Sequence, residues 1–311
     1  MQLSKYGLAA AALAILLSAC GMPAPIVKPA SNTPADAART PQPAGWQCEL
    51  STMGRDIITT NGKNVVLHGA NVPSITAMEL SGYTWDDRLR DLAAAGAQVV
   101  RLPVNFHELT PTFVPAKVLP FIQLANQRGM IVILAWNAAI THPINNMVDD
   151  AEDWLRMEID YMNNNNGVWF DLYAGMQGVT PARQRNIAQR LVDVARGFRS
   201  HNVIVVPDPV WFTSNDASIS KNLIGGNIVY GLRDSPELSA TLSANKIGQR
   251  LPFIVTNWGD LARPLSVDLD ALKKVNIGNL AASTLVDTPH LPSYLSDYWK
   301  ANRMNWSVCH K

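Results

Sequence analysis

Short apolar runs alternate with segments of helical spacing along most of the chain. Residues 168–173 are mostly apolar and of high β propensity, and small residues follow them. Residues 181–199 then place Ile187, Leu191 and Val194 on one helical face, and residues 203–206 form a second apolar run. This order of strand, helix and strand predicts one βαβ unit.

The same rhythm repeats along the chain. Further helices are predicted at residues 86–95, 118–127 and 150–162. The eight predicted strands are residues 65–71, 98–105, 130–137, the run that begins at 168, 203–206, 227–230, 253–256 and the weaker 280–286. Eight parallel strands with intervening helices predict an α/β fold of the (β/α)8 TIM-barrel class, with an active site at the carboxyl ends of the strands. An open doubly wound sheet is the alternative, although its Gly-x-Gly-x-x-Gly phosphate turn is absent.

The N-terminal residues have the pattern of a targeting segment. Lys5 precedes a ten-residue apolar run, too short to span a bilayer, and Leu17-Ser-Ala-Cys20 follows. That ending resembles a bacterial lipobox, which implies residues 1–19 as a lipoprotein signal peptide and lipidation of Cys20. An ordinary signal peptide with an incidental cysteine is the alternative. Because Gly21 and not Asp follows, resemblance to lipoprotein sorting favours a lipid-anchored place in the bacterial envelope, at the outer membrane.

Two cysteines flank the predicted folded domain. Residues 20–44 are rich in Pro and Ala without apolar periodicity and predict a flexible tether, so the barrel domain is expected at 45–311. Cys48 and Cys309 lie at its two ends, and export favours a disulfide between them. Closing so long a loop contributes about 5 kcal/mol in the chain-entropy model. The pairing also requires adjacent domain ends, which a closed barrel provides.

Composition argues against several classes of partner. The chain has 26 basic and 25 acidic side chains, a net charge of +1, so no electrostatic field favours nucleic acid. The six histidines show no metal-ligand spacing, and no Gly-x-Ser-x-Gly turn of an esterase is present. We therefore expect neither a metal nor another cofactor.

Three motifs carry a resemblance to a known family. They are NGKNVVLHGAN at residues 61–71, GAQVVRLP at 96–103 and GMIVIL at 129–134. Together they resemble glycoside hydrolase family 5, which contains many cellulases and other β-glycanases, over residues 56–306. The resemblance implies a TIM barrel that acts on β-linked polysaccharide or oligosaccharide. Arg101 is the clearest match to the polar residues of the family's site, and Asn71 is a weaker one.

The positions of the family's catalytic residues differ. The resemblance places Gly175 where the fourth strand carries the acid/base Glu, and Asn257 where the seventh strand carries the nucleophilic Glu. Likewise, Asn137 and Arg233 occupy the positions expected for two histidines. A retaining glycosidase needs two carboxyl groups about 5 Å apart. Glycine has no side chain and an asparagine amide is not a competent nucleophile, so these changes predict loss of hydrolysis.

The remaining residues suggest binding. Four tryptophans fall in or just after predicted strands, and their rings could stack on a sugar: Trp136, Trp169, Trp211 and Trp258. We expect Trp136, Trp258, Arg101, Asn71, Asn137 and Arg233 to bind carbohydrate, in a degenerate protein that binds a glycan or supports exopolysaccharide or envelope assembly. Asp171 is expected to lie too deep to act. The alternatives are an active β-glycanase that uses Asp208, Asp234 or Asp260, and a purely structural or protein-binding role.

Overall fold

The computed structural model describes the body of the chain. The described residues are 46, 48–82, 84–105, 108, 110–137, 144–163, 165–174, 179–213, 221–233, 250–258, 272, 277–281 and 293–306. Side chains are described for these residues except 144–147, 173, 174, 213, 233 and 258.

Eight parallel strands close into a barrel, as predicted. They are β4 (His68–Asn71), β5 (Val99–Asn105), β6 (Ile131–Asn137), β7 (Val168–Ala174), β8 (Ile204–Pro207), β9 (Ile228–Arg233), β10 (Phe253–Trp258) and β11 (Gly278–Ala281). The strands pair in chain order, and β11 pairs with β4 to complete the circle. All their carboxyl ends therefore meet at one end of the barrel, which we call the mouth; the opposite end is the base.

Helices connect the strands. They are α1 (Ile75–Leu80), α2 (Trp85–Ala94), α3 (Leu119–Gln127), α4 (Ile144–Met162), α5 (Pro181–Gly197) and α6 (Ser293–Asn302), and α3 is preceded by a π-helical turn at Val114–Val118. A short 3-10 helix, Val210–Thr213, follows β8. Among the helices that the structure describes, none combines the length and apolar character needed to cross a membrane.

Sequence signals explain where two of the helices begin. The Thr84 hydroxyl accepts a hydrogen bond from the Asp87 N–H at the start of α2, and Asp86 and Asp87 lie in the first turn. Carboxylates at that end interact favourably with the helix dipole. Thr180 caps α5 in the same way, and Pro181 is its first residue.

Strand alternation separates two apolar layers. In β5, Val100, Leu102 and Val104 pack toward the helices, whereas Val99 belongs to a second cluster inside the barrel. Position 69 in β4 requires glycine, because a Cβ atom there would lie only 1.7 Å from the backbone carbonyl oxygen of Val99 on the neighbouring strand β5. Nearer the mouth, the interior face of β5 carries the polar residues Arg101 and Asn105.

A small antiparallel sheet covers the base. It consists of β1 (Leu50–Met53), β2 (Asp56–Thr59) and β3 (Asn64–Val65), and its apolar residues join the interior cluster. Trp46 packs edge-to-face against Trp306 at 5.0 Å between ring centroids. The Trp306 indole N–H donates to the Gly129 carbonyl oxygen at 2.9 Å. Both ends of the described domain thus lie at the base.

Buried asparagines link the loops at the base into a chain that we call the amide chain. Asn126 Nδ2 donates to the carbonyl oxygens of Met130 and Gly167, and its Oδ1 accepts from Asn165 Nδ2. Asn202 Nδ2 donates to the backbone carbonyl oxygen of Asn165 at 2.9 Å. These bonds connect the starts of β6, β7 and β8, so the side-chain amides of Asn126, Asn165 and Asn202 each have a partner that holds a strand in place.

Several predicted boundaries differ from the structure. The predicted first strand, 65–71, is divided between β3 and β4, because β3 pairs with β2 under the barrel. The predicted eighth strand, 280–286, is present as β11 but begins at Gly278, and its predicted residues 282–286 lie outside the described part. The predicted helix at 150–162 begins six residues earlier, at Ile144.

Candidate functional site

Three polar side chains meet inside the barrel just below the mouth. Arg101 Nε donates to Asp171 Oδ2 at 2.7 Å, and one terminal guanidinium nitrogen donates to Asn71 Oδ1 at 3.1 Å. They come together because Asn71 lies opposite Arg101 in the β4–β5 register, and Asp171 is reached across β6. The structure thus brings together Arg101 and Asn71, both expected at the site, and adds Asp171.

Asn71 also joins the barrel's first and last strands. Its amide nitrogen donates to the carbonyl oxygens of Thr256 and Ala281, each at 2.9 Å. Because its oxygen is held by Arg101, three of the four hydrogen-bonding positions of the amide are occupied by protein. Asn71 therefore closes the barrel and orients Arg101, and it has little capacity left for a ligand.

The Arg101–Asp171 ion pair is almost dry. The Asp171 side chain is fully buried and that of Arg101 is 14% exposed. Removing one partner of such a pair leaves a buried charge without compensation, which costs about 3–5 kcal/mol. The expectation that Asp171 lies below the mouth is confirmed, since it pairs with Ala135, two residues below the end of β6.

Neutral amides occupy the rim of the mouth above this pair. Asn137 is exposed, and its Nδ2 donates to Asn105 Oδ1 at 3.0 Å where the two residues face each other across β5 and β6. Asn257 is exposed near the end of β10, opposite the backbone of Arg233. Each amide offers both a donor and an acceptor, the pattern that sugar hydroxyls require.

The carboxylates described near the mouth are already engaged by the protein. Glu108, which sequence reasoning missed, is buried and accepts from the backbone N–H groups of Thr76 and Asn105 at 3.0 and 2.8 Å. It fastens the loop after β5 to the start of α1. Its only sequence signal is an acidic residue in an irregular segment, which does not distinguish a buried clamp from a solvated loop charge.

Asp208 is the one expected alternative carboxylate that the described part of the chain includes. It is half-buried just after β8, and its backbone adopts a left-handed conformation with φ 43°. Its N–H donates to the Gly231 carbonyl oxygen, and its own carbonyl accepts from Gln184 Nε2. The backbone is therefore firmly held. Asp234 and Asp260 lie outside the described residues.

The structure corrects the prediction that the Trp136 ring binds a sugar. Trp136 is 1% exposed and packs in the layer between the strands and the helices. Since neighbouring residues of a strand face opposite ways, the direction of Asn137 into the mouth sends Trp136 outward. A sugar cannot stack on that ring. Trp169 and Trp211 are also buried, the first in the barrel interior and the second beside the helices.

Other predicted site residues, or their side chains, lie outside the described part of the chain. Gly175, Cys20 and Cys309 are not among the described residues, and neither are the side chains of Trp258 and Arg233. Cys48 is buried and engaged in a disulfide. Its pairing with Cys309 stays a prediction. Within the described ranges, no group of three potential metal ligands occurs.

A surface groove on the outside of the barrel is a weaker candidate. It lies along α4 and α5, and its lining includes Glu152, Arg185 and Arg190. Arg190 pairs with Glu152 and with Asp149, and Arg185 donates to backbone carbonyl oxygens. The charges of the groove thus hold protein elements together, which leaves the mouth as the candidate site.

Together, the closed parallel barrel and a polar mouth define a (β/α)8 protein of the kind that places its site at the carboxyl ends of its strands. The model of the cellulase family, glycosyl hydrolase family 5, matches residues 58–232, more than half of the chain. The chain belongs to this family, as the three motifs indicated.

Solved structures of similar fold include two glucanases and a mannanase. A β-glucanase from Saccharophagus degradans, solved in complex with cellotetraose, has a TM-score of 0.67 and 15% identity over 83% of this chain and 95% of that one. The catalytic domain of an endoglucanase from Thermobifida fusca gives 0.64 and 19% over 75% and 84%. A β-mannanase from Streptomyces thermolilacinus gives 0.63 and 20% over 78% and 87%. At these identities the likeness shows the fold alone.

Proposed function

We propose that the protein is a lipid-anchored member of the family that binds a neutral β-linked glycan without hydrolysing it. The observation that carries the proposal is the exposed amide of Asn257 near the end of β10. The family resemblance implies a nucleophilic glutamate at that position. An amide forms hydrogen bonds with a sugar but does not form a glycosyl-enzyme intermediate.

Two of the carboxylates near the mouth, Asp171 and Glu108, do not replace the missing nucleophile. Asp171 is fully buried and bound to Arg101, and both oxygens of Glu108 accept backbone hydrogen bonds. A general acid must come within hydrogen-bond reach of the glycosidic oxygen, about 3 Å. Neither side chain reaches solvent at the mouth, which supports binding over hydrolysis.

The charge at the mouth favours an uncharged ligand. The rim amides Asn105, Asn137 and Asn257 carry no charge, and the Arg101 charge is offset by Asp171. Amides recognise hydroxyl groups by paired donation and acceptance. The complex of the similar glucanase with cellotetraose supports a β-linked ligand for the common fold. In the cell, we propose that this binding supports exopolysaccharide or envelope assembly.

Binding is tested with the purified mature protein and a panel of β-linked gluco- and manno-oligosaccharides, by calorimetry. Asn137→Ala should weaken binding by about 1 kcal/mol, roughly fivefold, through loss of hydrogen bonds. Trp258→Ala should weaken it by about 1–3 kcal/mol, or 5- to 150-fold, if the ring stacks on a sugar. Asn64→Ala, at an exposed amide on β3 in the sheet that covers the base, is the matched control and should leave binding unchanged.

Hydrolysis is followed in the same mixtures by release of reducing ends. No release above the buffer blank is expected from the unmodified protein. Efficient release that disappears in Asp208→Asn, Asp234→Asn or Asp260→Asn would overturn the proposal in favour of an active site with relocated carboxylates. Absence of both release and glycan binding would instead leave a structural role.

The anchor has its own test. Cys20→Ser should leave the leader uncleaved or release the protein from membranes, because Cys20 is the predicted site of lipidation. Membrane fractionation with metabolic labelling by a fatty acid distinguishes these results. A variant that is processed normally and remains in the outer-membrane fraction would show that lipidation of Cys20 is not the anchor.

A further inference from the structure

Glu108 is a buried carboxylate that lies directly beside the rim amides. The residue is 3% exposed, and its two oxygens accept from different segments, the N–H of Thr76 in the first turn of α1 and the N–H of Asn105 at the end of β5. A carboxylate is costly to bury unless hydrogen bonds stabilise it, so an apolar residue would fill this space at lower cost. The two bonds therefore indicate that the position of these segments matters.

Helix α1 does not depend on Glu108 alone. The Ser74 hydroxyl caps the helix by accepting from the Ala77 N–H at 3.3 Å. Near the other end of α1, Glu79 accepts from Lys117 Nζ at 2.6 Å, which joins the helix to the π-helical turn. What Glu108 adds is a link from this helix to the last residue of β5.

The last residue of β5 carries one of the rim amides. Asn105 Oδ1 accepts from Asn137 Nδ2 at 3.0 Å, so a continuous series of hydrogen bonds runs from Glu108 to the mouth. Asn105 shares the inner face of β5 with Val99 and Arg101, because residues of a strand alternate between its faces. The bond from its N–H to Glu108 thus fixes the backbone from which this inward side chain projects.

The Asn105–Asn137 pair leaves complementary groups for a ligand. Its bond uses the oxygen of Asn105 and one hydrogen of the Asn137 amide. Among the described residues, neither side chain has another hydrogen-bond partner, and Asn137 is exposed while Asn105 is half-buried. The amide nitrogen of Asn105 is a donor and the oxygen of Asn137 is an acceptor. These adjacent groups match two hydroxyl groups of one sugar, of which one accepts and the other donates.

We infer that Glu108 is a positioning residue for the glycan site and holds Asn105 so that the Asn105–Asn137 pair is formed before a sugar binds. The inference rests on the proposed function and adds to it the recognition of two hydroxyl groups at this part of the mouth. A side chain that is already ordered loses less freedom on binding, which is worth about 2- to 12-fold in affinity. Because Glu108 is buried, it acts through Asn105 and does not touch the ligand.

The test measures binding of cellotetraose and of mannohexaose to the mature protein by calorimetry. Glu108→Gln keeps the shape of the side chain but replaces one accepting oxygen with a donor nitrogen, so it retains at most one of the two bonds. It should weaken binding about fivefold, and so should Asn105→Ala and Asn137→Ala. Glu108→Asp, which withdraws the carboxylate by one methylene group, should act in the same direction and replaces Glu108→Gln in the test if that variant does not fold.

A double-mutant cycle separates positioning from general support of the fold. If Glu108 acts through the amide pair, adding Glu108→Gln to Asn137→Ala should weaken binding by no more than about twofold beyond Asn137→Ala alone. Independent effects would instead multiply to about 25-fold. Glu152→Gln is the control, since Glu152 is also a buried carboxylate but pairs with Arg190 on the outside of the barrel. It should lower the free energy of unfolding and leave glycan binding unchanged.

The outcomes separate the positioning role from the proposed function. Binding by the Glu108 variant that equals that of the parent, together with weaker binding by Asn137→Ala, would overturn the positioning role and leave the proposed function intact. Losses that multiply in the double variant would also overturn it, and so would an equal loss in Glu152→Gln, which would reflect stability alone. A parent protein that binds neither oligosaccharide, nor any other of the panel, would overturn the proposed function and the inference with it.

Discussion

A buried carboxyl group makes the stability of this barrel depend on pH. Glu158, on α4, is fully buried among apolar residues that include Leu155, Ile159 and Met162. Neither of its carboxyl oxygens has a hydrogen-bond partner within the described residues. Burial raises the pKa of Glu158 from 4.5 to about 8. The ion pairs between α4 and α5, such as Arg190 with Asp149, lie at the solvent side and do not compensate it.

The sign and size of the effect follow from the two pKa values. Below pH 4.5 the carboxyl is protonated in both the folded and unfolded states, and its burial costs no ionisation energy. Between pH 4.5 and about 8 the unfolded chain loses the proton and the folded protein keeps it, so the free energy of unfolding falls by about 1.4 kcal/mol for each pH unit. The stability present at low pH is thus reduced by about 5 kcal/mol once the pH passes 8.

Glu158→Gln removes this titration and keeps the shape of the side chain. The free energy of unfolding of the variant, minus that of the parent, should therefore increase by about 4 kcal/mol between about pH 5 and pH 8. Urea unfolding at several pH values, with the disulfide intact in both proteins, measures the difference, and shared titrations cancel. Glu49→Gln, at an exposed position, is the control and should show no such trend. A difference between Glu158→Gln and the parent that stays constant with pH would refute the reasoning.

Two further predictions concern stability, and a third concerns the disulfide. Arg101→Ala should lower the free energy of unfolding by about 3–5 kcal/mol because it removes the ion pair that compensates the buried charge of Asp171, and the double change Arg101→Met with Asp171→Leu should recover most of the loss in the same urea assay. Asn126→Ala should cost about 2–3 kcal/mol by thermal unfolding, since it removes two buried hydrogen bonds to the Met130 and Gly167 carbonyl oxygens and the acceptor of the buried Asn165 amide. Thiol labelling of the denatured, unreduced mature protein should find neither Cys48 nor Cys309 reactive, and two reactive thiols would contradict their pairing.

The barrel could be predicted from the sequence because its strands are buried on both faces. Such strands appear as near-continuous apolar runs, and helical segments separate them in a regular order. The ends of a strand were less predictable where they depend on pairing with a distant part of the chain. The division of residues 65–71 between β3 and β4 depends on pairing with β2, which no local pattern indicates.

The site was predicted in part. Arg101 and Asn71 were expected from motifs, but the bond from Arg101 to Asp171 depends on the register across β6 and needs the closed barrel. Trp136 could have been excluded from the sequence, because a residue next to inward-facing Asn137 must face outward. Glu158 also had a signal, since its spacing places an acid on the apolar face of a helix with Leu155 and Met162. Glu108 had none, because its two bonds are formed in an irregular loop.

The amide chain lies at the end of the barrel opposite the proposed binding site. Different residues therefore stabilise the fold and bind the ligand. Asn126, Asn165 and Asn202 secure the starts of three strands at the end opposite Asn257. Substitutions at the rim therefore change no bond in that chain. Paired carboxylates in a cleft repel each other, so replacing such a pair with uncharged residues, as the proposed function requires, would relieve the fold of that repulsion. An enzyme of this architecture can thus lose its chemistry in a few mutational steps, each compatible with folding, and persist under selection for binding alone.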